Sequence, residues 1–451
     1  MRKSIKMTEG NPLKLMIAFA LPMILGNIFQ QLYSMVDAMV VGRFVSTQAL
    51  ASVGATSSIL FLMISFIVGF TMGTSIVTSH YAGAEDKLGL RSTFATGAWI
   101  SAIAYVVICI LGNLLAGPAL RMLGTPEDII ADAELYIRIN FTASIAPITY
   151  NMIAQFLRAM GDSKSPLYAL IISSITNIVL DLLFVIAFDM GIAGVALATA
   201  IAQVCSTCFC LWRAFRNFRD VIPQKSEWKK PNGEIVKRIL KFGLPMSIQQ
   251  VFTSFGMMAI QGIINSFGSG VVAGYTAANK VDQIALQFMN SIGAAMSTYA
   301  GQNYGAKKGE RIFSGLKSAL ILTVAAGLFL SLAMIFAGRY LVLLFMESTE
   351  VEAIGVATTY LTTVAIFYVL CGVSYVYSNL LRGVGKVTIP TAASFVELGV
   401  KILVAFVLSS AFGHAGIWYA WPASWAVTCL LLIGYFHLVS AKTLKQLKPA
   451  P

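Results

Sequence analysis

Twelve apolar stretches, each long enough to cross a bilayer, constrain this chain more than any other feature. They fall near residues 15–41, 57–80, 94–116, 133–157, 167–188 and 192–213, and again near 239–265, 281–303, 313–337, 354–381, 390–411 and 416–438. A hydrocarbon core about 30 Å thick needs about 20 such residues at 1.5 Å of helix rise each. The chain is 57% hydrophobic and 12% charged, against about 25% charged residues in ordinary soluble domains. The expectation is an all-α membrane protein with twelve transmembrane helices, the bilayer replacing a large water-excluded core. The basic start MRKSIKMTEGNPLK leads into an apolar run from Leu13 to Val41. That run is too long for a signal-peptide core and reads as the first span.

The net charge of +12 raises a nucleic-acid partner, but the basic residues follow the loops. With both termini cytoplasmic, 26 of the 32 Lys and Arg lie on cytoplasmic ends and loops. Arg43, Arg121, Arg138, Lys280 and Arg339 fall on the opposite side, and Lys401 lies inside a span. A miscount by one helix would destroy this asymmetry, which is that of the positive-inside rule for a cell (inner) membrane protein. Cys205, Cys208 and Cys210 have no His nearby, so they read as small helix-interface residues rather than a metal site. No GxxxxGK[ST] loop is present, so ATP is not expected to drive the protein directly. Neither a resident cofactor nor an enzyme active site is expected. Gly69-x3-Gly73 has a helix-packing spacing, and the 28 Phe and 19 Met could line an adaptable cavity.

The two sets of six spans repeat. FALPM at 19–23 matches FGLPM at 242–246, HYAGAEDKLGLR at 80–91 resembles NYGAKKGER at 303–311, LRAMGDSKSP at 157–166 matches LRGVGKVTIP at 381–390, and MGIAGVALA at 190–198 resembles HAGIWYA at 414–420. The offset is 222–224 residues throughout. This predicts two pseudo-symmetric lobes: 1–214, then a polar cytoplasmic linker over 215–238, then 239–451. An even number of helices per copy gives both copies the same orientation, with the working cavity expected between them. Pro22 and Pro245 lie inside spans at equivalent positions, where each removes a backbone hydrogen bond and kinks its helix.

Asp37 and Asp181 are carboxylates set within long apolar spans, the first and the fifth. A charge at membrane depth costs about 2.5–3.5 kcal/mol on insertion scales. Asp37 lies six residues before Arg43 and Asp181 eight before Asp189, or about 9 and 12 Å of helix, so both belong to the outer half of the first lobe. Asn177 shares a helix face with Asp181 at i, i+4, and Thr199 lies at similar depth in the sixth span. Two carboxylates, an amide oxygen and a hydroxyl suit Na⁺, and closely placed carboxylates could equally exchange protons; the residue types do not choose. The second copy carries Ile260 and Lys401 at the positions of Asp37 and Asn177, which places ion coupling in the first lobe. Glu397 lies i, i+4 from Lys401, either as a buried ion pair or facing the cavity. Asp282 with Lys280 reads as an end-of-helix pair.

On these residues the chain resembles a bacterial-type multidrug and toxic compound extrusion (MATE) transporter. The likeness rests on D-x3-VGR at Asp37–Arg43, LASVG at 50–54, LRAMGDSKSP, Asn177-x3-Asp181, GVALAT at 194–199, GQNYGA at 301–306 and LRGVG at 381–385. It implies two six-helix bundles, antiport of small organic, often cationic and amphipathic compounds against Na⁺ or H⁺, and a first-lobe cation site of Asp37, Asn177, Asp181 and Thr199. Gln249 and Gln250 stand where some members carry an acid in the seventh helix, and with Glu397 they are candidates for the substrate cavity. The expected protein is a secondary active exporter, working as a monomer in the bilayer with no nucleic-acid partner. The alternative is a flippase for lipid-linked oligosaccharide or another amphipathic lipid, which would call for more cationic residues at membrane depth than Lys401.

Overall fold

A backbone in hydrocarbon has no water to bond to, so each span must satisfy its own amides, and a helix does this locally. The computed structural model describes residues 5–447, excepting the side chains at 32–35, 37, 38, 43, 47 and 50. Its first half comprises α1 (Pro12–Val40), α2 (Thr47–Gly83), α3 (Lys87–Met122), α4 (Glu127–Thr142), α5 (Ile145–Ala159), α6 (Lys164–Leu182), α7 (Gly191–Asn217) and the short α8 (Lys225–Lys229). The second half comprises α9 (Gly233–Asn265), α10 (Ser269–Gly305), α11 (Gly309–Val342), α12 (Val351–Ala365), α13 (Tyr368–Gly383), α14 (Thr388–Phe412), α15 (His414–Ile417), α16 (Ala420–Tyr435) and α17 (Ala441–Lys445). Setting aside the short α8 and taking α4–α5, α12–α13 and α15–α17 as single stretches gives twelve among the described residues, one for each expected span. Among the described residues, eight helices are long and apolar enough to cross a membrane, and α12–α13, bent by 54°, makes a ninth. The twelve-helix, duplicated all-α architecture read from the sequence is the one observed.

Side chains supply the helix starts. Asn11 Oδ1 accepts from the Leu13 and Lys14 amides at 3.0 and 3.2 Å, and Asn232 Oδ1 accepts from Glu234 and Ile235 at 3.0 and 3.2 Å. These are orphan donors of a first turn, and the two caps open corresponding helices of the repeat, α1 and α9. Left-handed residues mark the same duplication: Glu85 (φ 54°) and Lys307 (φ 55°), Gly161 (φ 85°) and Gly385 (φ 82°), Asp189 (φ 51°) and Gly413 (φ 61°).

Two expected spans, 133–157 and 354–381, are broken rather than continuous. Pro147 cannot donate to the carbonyl of Ala143, and α4 gives way to α5 there. At the equivalent place in the second copy no proline intervenes. Instead the Ser331 hydroxyl of α11 donates to the Ala365 carbonyl at 2.5 Å, and α13 restarts at Tyr368. The eighth span also begins earlier than expected, at Ser269 instead of near 281. The run AGYTAANK reads as a loop, yet its small residues allow close approach: a Cβ on Gly274 would lie 2.4 Å from the Ala353 carbonyl oxygen of α12.

The chain forms two compact units. One comprises Met1–Ile5 and Leu25–Ser247, the other Lys6–Ile24 and Ile248–Pro451. Both divisions fall two residues beyond a proline inside a helix, Pro22 in α1 and Pro245 in α9. In the first unit the start of α9 therefore packs on α2. Ser247 Oγ donates to the Phe66 carbonyl at 3.0 Å, and the Gly69-x3-Gly73 face lets the helices touch. A Cβ on Gly69 would lie 2.5 Å from Ser247 Cα, and one on Gly73 would lie 2.6 Å from the Gly243 nitrogen. Gly69→Ala is expected to destabilise by about 1–3 kcal/mol through overpacking against rigid backbone. Gly54→Ala on the same helix, with nothing within 4 Å of the new Cβ, should be neutral or slightly stabilising. Thermal unfolding in detergent compares them, and equal midpoints would refute the contact.

The polar stretch after α7 is tied to α3. Lys87 Nζ pairs with Asp220 Oδ2 at 3.0 Å, Arg91 Nε donates to the Asp220 carbonyl at 2.9 Å, and Trp99 Nε1 donates to the Trp228 carbonyl at 3.1 Å. In the second unit, Met7 is fully buried; its nitrogen donates to Gln302 Oε1 at 3.0 Å and its carbonyl accepts from Asn303 Nδ2 at 3.0 Å.

Candidate cation-coupling site

In the first unit, α6 and α7 bring three of the four expected residues together. Asn177 and Asp181 lie one turn apart on α6 with no solvent exposure, and Thr199 lies half-buried on α7. With the Asn177 amide group facing the carboxylate, Nδ2 donates to Asp181 Oδ2 at 2.8 Å, while Oδ1 accepts from the Thr199 hydroxyl and amide at 3.3 Å each. That orientation satisfies both ends of the amide, which is how an Asn is assigned. Val185, four residues after Asp181 and just past the end of α6, and Val195, four residues before Thr199 on α7, both belong to an apolar cluster with Val41, Ile192 and Tyr136. A carboxylate, an amide and a hydroxyl are thus gathered within an apolar surround. The backbone of Asp37 belongs to α1; its side chain lies outside the described residues.

The second unit holds a carboxylate that sequence reasoning misplaced. Asp282 is not paired with Lys280 at a helix end. It lies 13 residues into α10, about 20 Å along the axis, and is 1% exposed. Tyr360 Oη donates to its Oδ2 at 2.9 Å and Tyr368 Oη to its Oδ1 at 2.5 Å. Lys280 is exposed and stands over the Phe345 ring at 5.4 Å. The break between α12 and α13 puts Tyr368 where it can reach Asp282. Around them Tyr275, Tyr360, Trp418 and Trp421 form a buried aromatic cluster, with Tyr360 edge-on to Trp418 at 5.2 Å. Little in the sequence signals this contact, because Tyr360 and Tyr368 stand among several other polar residues of the same span, including Thr358, Thr362, Ser374 and Tyr375.

Glu397 and Gln249 are engaged in polar networks of the same unit. Lys401 Nζ lies 3.4 Å from Glu397 Oε1, with side chains 12% and 21% exposed. Thr428 donates to Glu397 Oε2 at 3.3 Å, and Lys401 also stands 5.8 Å over the Trp421 ring. Gln249 is satisfied at both ends: its Nε2 donates to Ser394 Oγ at 2.7 Å and its Oε1 accepts from Arg382 Nη2 at 2.9 Å. Gln250 is half-buried, and its carbonyl accepts from Ser254 Oγ at 2.9 Å.

A duplicated membrane protein with buried polar clusters inside its helices has the make-up of a transporter, because such groups at membrane depth mark ion and substrate pathways. The MatE family model matches twice, over residues 22–183 and 245–407. The chain is 30% identical over 437 residues to the "probable multidrug resistance protein YoeA" of Bacillus subtilis, covering 95% of this chain and 94% of that one. It is 23% identical over 413 residues to the "multidrug export protein MepA" of Staphylococcus aureus, covering 91% and 90%. Its fold is also that of a solved "outward-facing conformation of a multidrug resistance MATE family transporter of the MOP superfamily", with a TM-score of 0.92 at 23% identity over 99% of both chains. The chain belongs to the MATE family of transporters, bacterial type.

Proposed function

We propose that this protein is a secondary active exporter of small, amphipathic, mostly cationic organic compounds, driven by inward movement of Na⁺ or H⁺ through the Asp37, Asn177, Asp181 and Thr199 site. The observation that carries the reading is the buried Asn177–Asp181–Thr199 cluster in an apolar surround. A buried carboxylate beside an amide and a hydroxyl gathers the oxygen ligands that a small cation or a proton would bind. Coupling requires only that cation and substrate bind two states of the transporter with different affinities, and alternating access of the two lobes supplies such states. The names of the relatives support drug-like substrates. Lys401 is paired with Glu397, so it offers no free positive charge for a lipid pyrophosphate, which disfavours the flippase reading. The bias of basic residues supports cytoplasmic termini, and the protein works as a monomer in the cell membrane.

The test is reconstitution in proteoliposomes with a fluorescent organic cation, imposing a Na⁺ gradient and a pH gradient separately. One gradient should drive accumulation against the concentration of the dye. Movement that never exceeds equilibration under either gradient would overturn the antiport reading.

A further inference from the structure

We propose that the second unit holds an anionic phospholipid along α11, its acyl chain in an apolar groove and its phosphate at Lys317, His437 and Lys445. The groove has a volume of about 710 Å³ and runs along one stripe of α11, with Tyr377 of α13 and His437 on its flank. Phe313, Leu316, Leu320, Val324 and Leu328 follow one another at three- and four-residue steps, so they share that stripe. Val324 and Leu328 are 41% and 55% exposed, and α11 is the most apolar of the candidate spans, with a mean hydropathy of 2.5. Such a trough faces hydrocarbon.

Its rim identifies the occupant. Lys317 lies on the same stripe, eight residues inside the helix start at Gly309, about 12 Å along the axis. It is exposed and has no carboxylate partner among the described residues. Lys445 Nζ stands 5.9 Å from the Phe313 ring at the same end. His437, also exposed, lies with Nε2 3.4 Å from Tyr377 Oη. A cation beside hydrocarbon is costly unless an anion answers it. From Lys317 to Leu328 is eleven residues, about 16 Å, against the ~15 Å of one leaflet in a ~30 Å core. The matching ligand has an anionic head and a tail one leaflet long, in the leaflet that meets the C-terminal end of the chain. A zwitterionic lipid would set its own ammonium group against these cations, and a cationic substrate would be repelled by them.

The probe is phosphatidylglycerol. The full-length protein in phosphatidylcholine nanodiscs, with and without phosphatidylglycerol, is examined by native mass spectrometry for retained lipid. The wild type should retain phosphatidylglycerol in preference to phosphatidylcholine. A basic residue near a membrane surface is worth about fivefold in attraction for anionic lipid. Lys317→Gln with Lys445→Gln should therefore reduce the preference by about 25-fold, and Val324→Trp, which fills the groove, should release both lipids. Unchanged preference in the double variant, or unchanged retention in Val324→Trp, overturns the proposal. Melting in pure phosphatidylcholine reports folding separately. Should the double variant fail to fold, Lys317→Gln alone carries the test with an expected loss of about fivefold.

Discussion

Asp181→Asn is expected to end concentrative export while leaving the protein folded. The substitution keeps the shape of the side chain and the hydrogen bond that Asp181 Oδ2 accepts from Asn177 at 2.8 Å. It removes the charge, and with it any difference in cation affinity between transport states. Without that difference the ion gradient has no purchase on the substrate. Coupling free energies of this kind correspond to factors of about 5–150, so export driven by the gradient should fall by that order. Stability should change by only about 1 kcal/mol, since the hydrogen bond is kept and only its charge-assisted part is lost. Efflux of a fluorescent cation from proteoliposomes, measured beside the melting temperature, separates the two effects. Full efflux by a folded Asp181→Asn protein would remove Asp181 from the coupling site.

Asp282→Ala is expected to be the most damaging single change in the second unit. It leaves the hydroxyls of Tyr360 and Tyr368, both in a packed interior, without the oxygens they donate to at 2.9 and 2.5 Å. Stranding a buried donor costs about 1–3 kcal/mol, so the pair gives about 4 kcal/mol. Tyr360→Phe or Tyr368→Phe should cost only about 1 kcal/mol each, because each leaves one donor on the carboxylate. Asp282→Asn keeps an acceptor and should fall between. Thermal melts in detergent rank the series. A melting temperature for Asp282→Ala no lower than that of Thr276→Ala, an exposed site on the same helix, would contradict this reading.

The two carboxylates show how legible the site was. Asp181 could be found from the sequence because it stands inside a strongly apolar run with Asn177 one turn before it, and helical spacing alone puts them on one face. Asp282 could not. The small and polar residues at 273–280 lower the local hydropathy and suggest a loop, whereas they serve contact with α12, where Gly274 meets the Ala353 carbonyl. Hydropathy measures what a residue would tolerate in lipid and is blind to how closely another helix will come. Glu397 and Gln249 illustrate the same limit. Their residue types fit a cavity wall or a buried network equally well, and only the positions of Lys401, Thr428, Ser394 and Arg382 reveal the networks they join.

By itself the sequence determined the number of helices, their type and the duplication. Spanning length and a period near 223 residues are properties of the chain, and hydrocarbon permits no other backbone for such segments. Only the tertiary structure decided where helices break, which unit each half of α1 and α9 joins, and what Asp282 touches. Those outcomes depend on partners remote in the chain: a Ser331 hydroxyl that takes the Ala365 carbonyl, glycines on α2 that admit α9, and two tyrosines 78 and 86 residues beyond the carboxylate they bind.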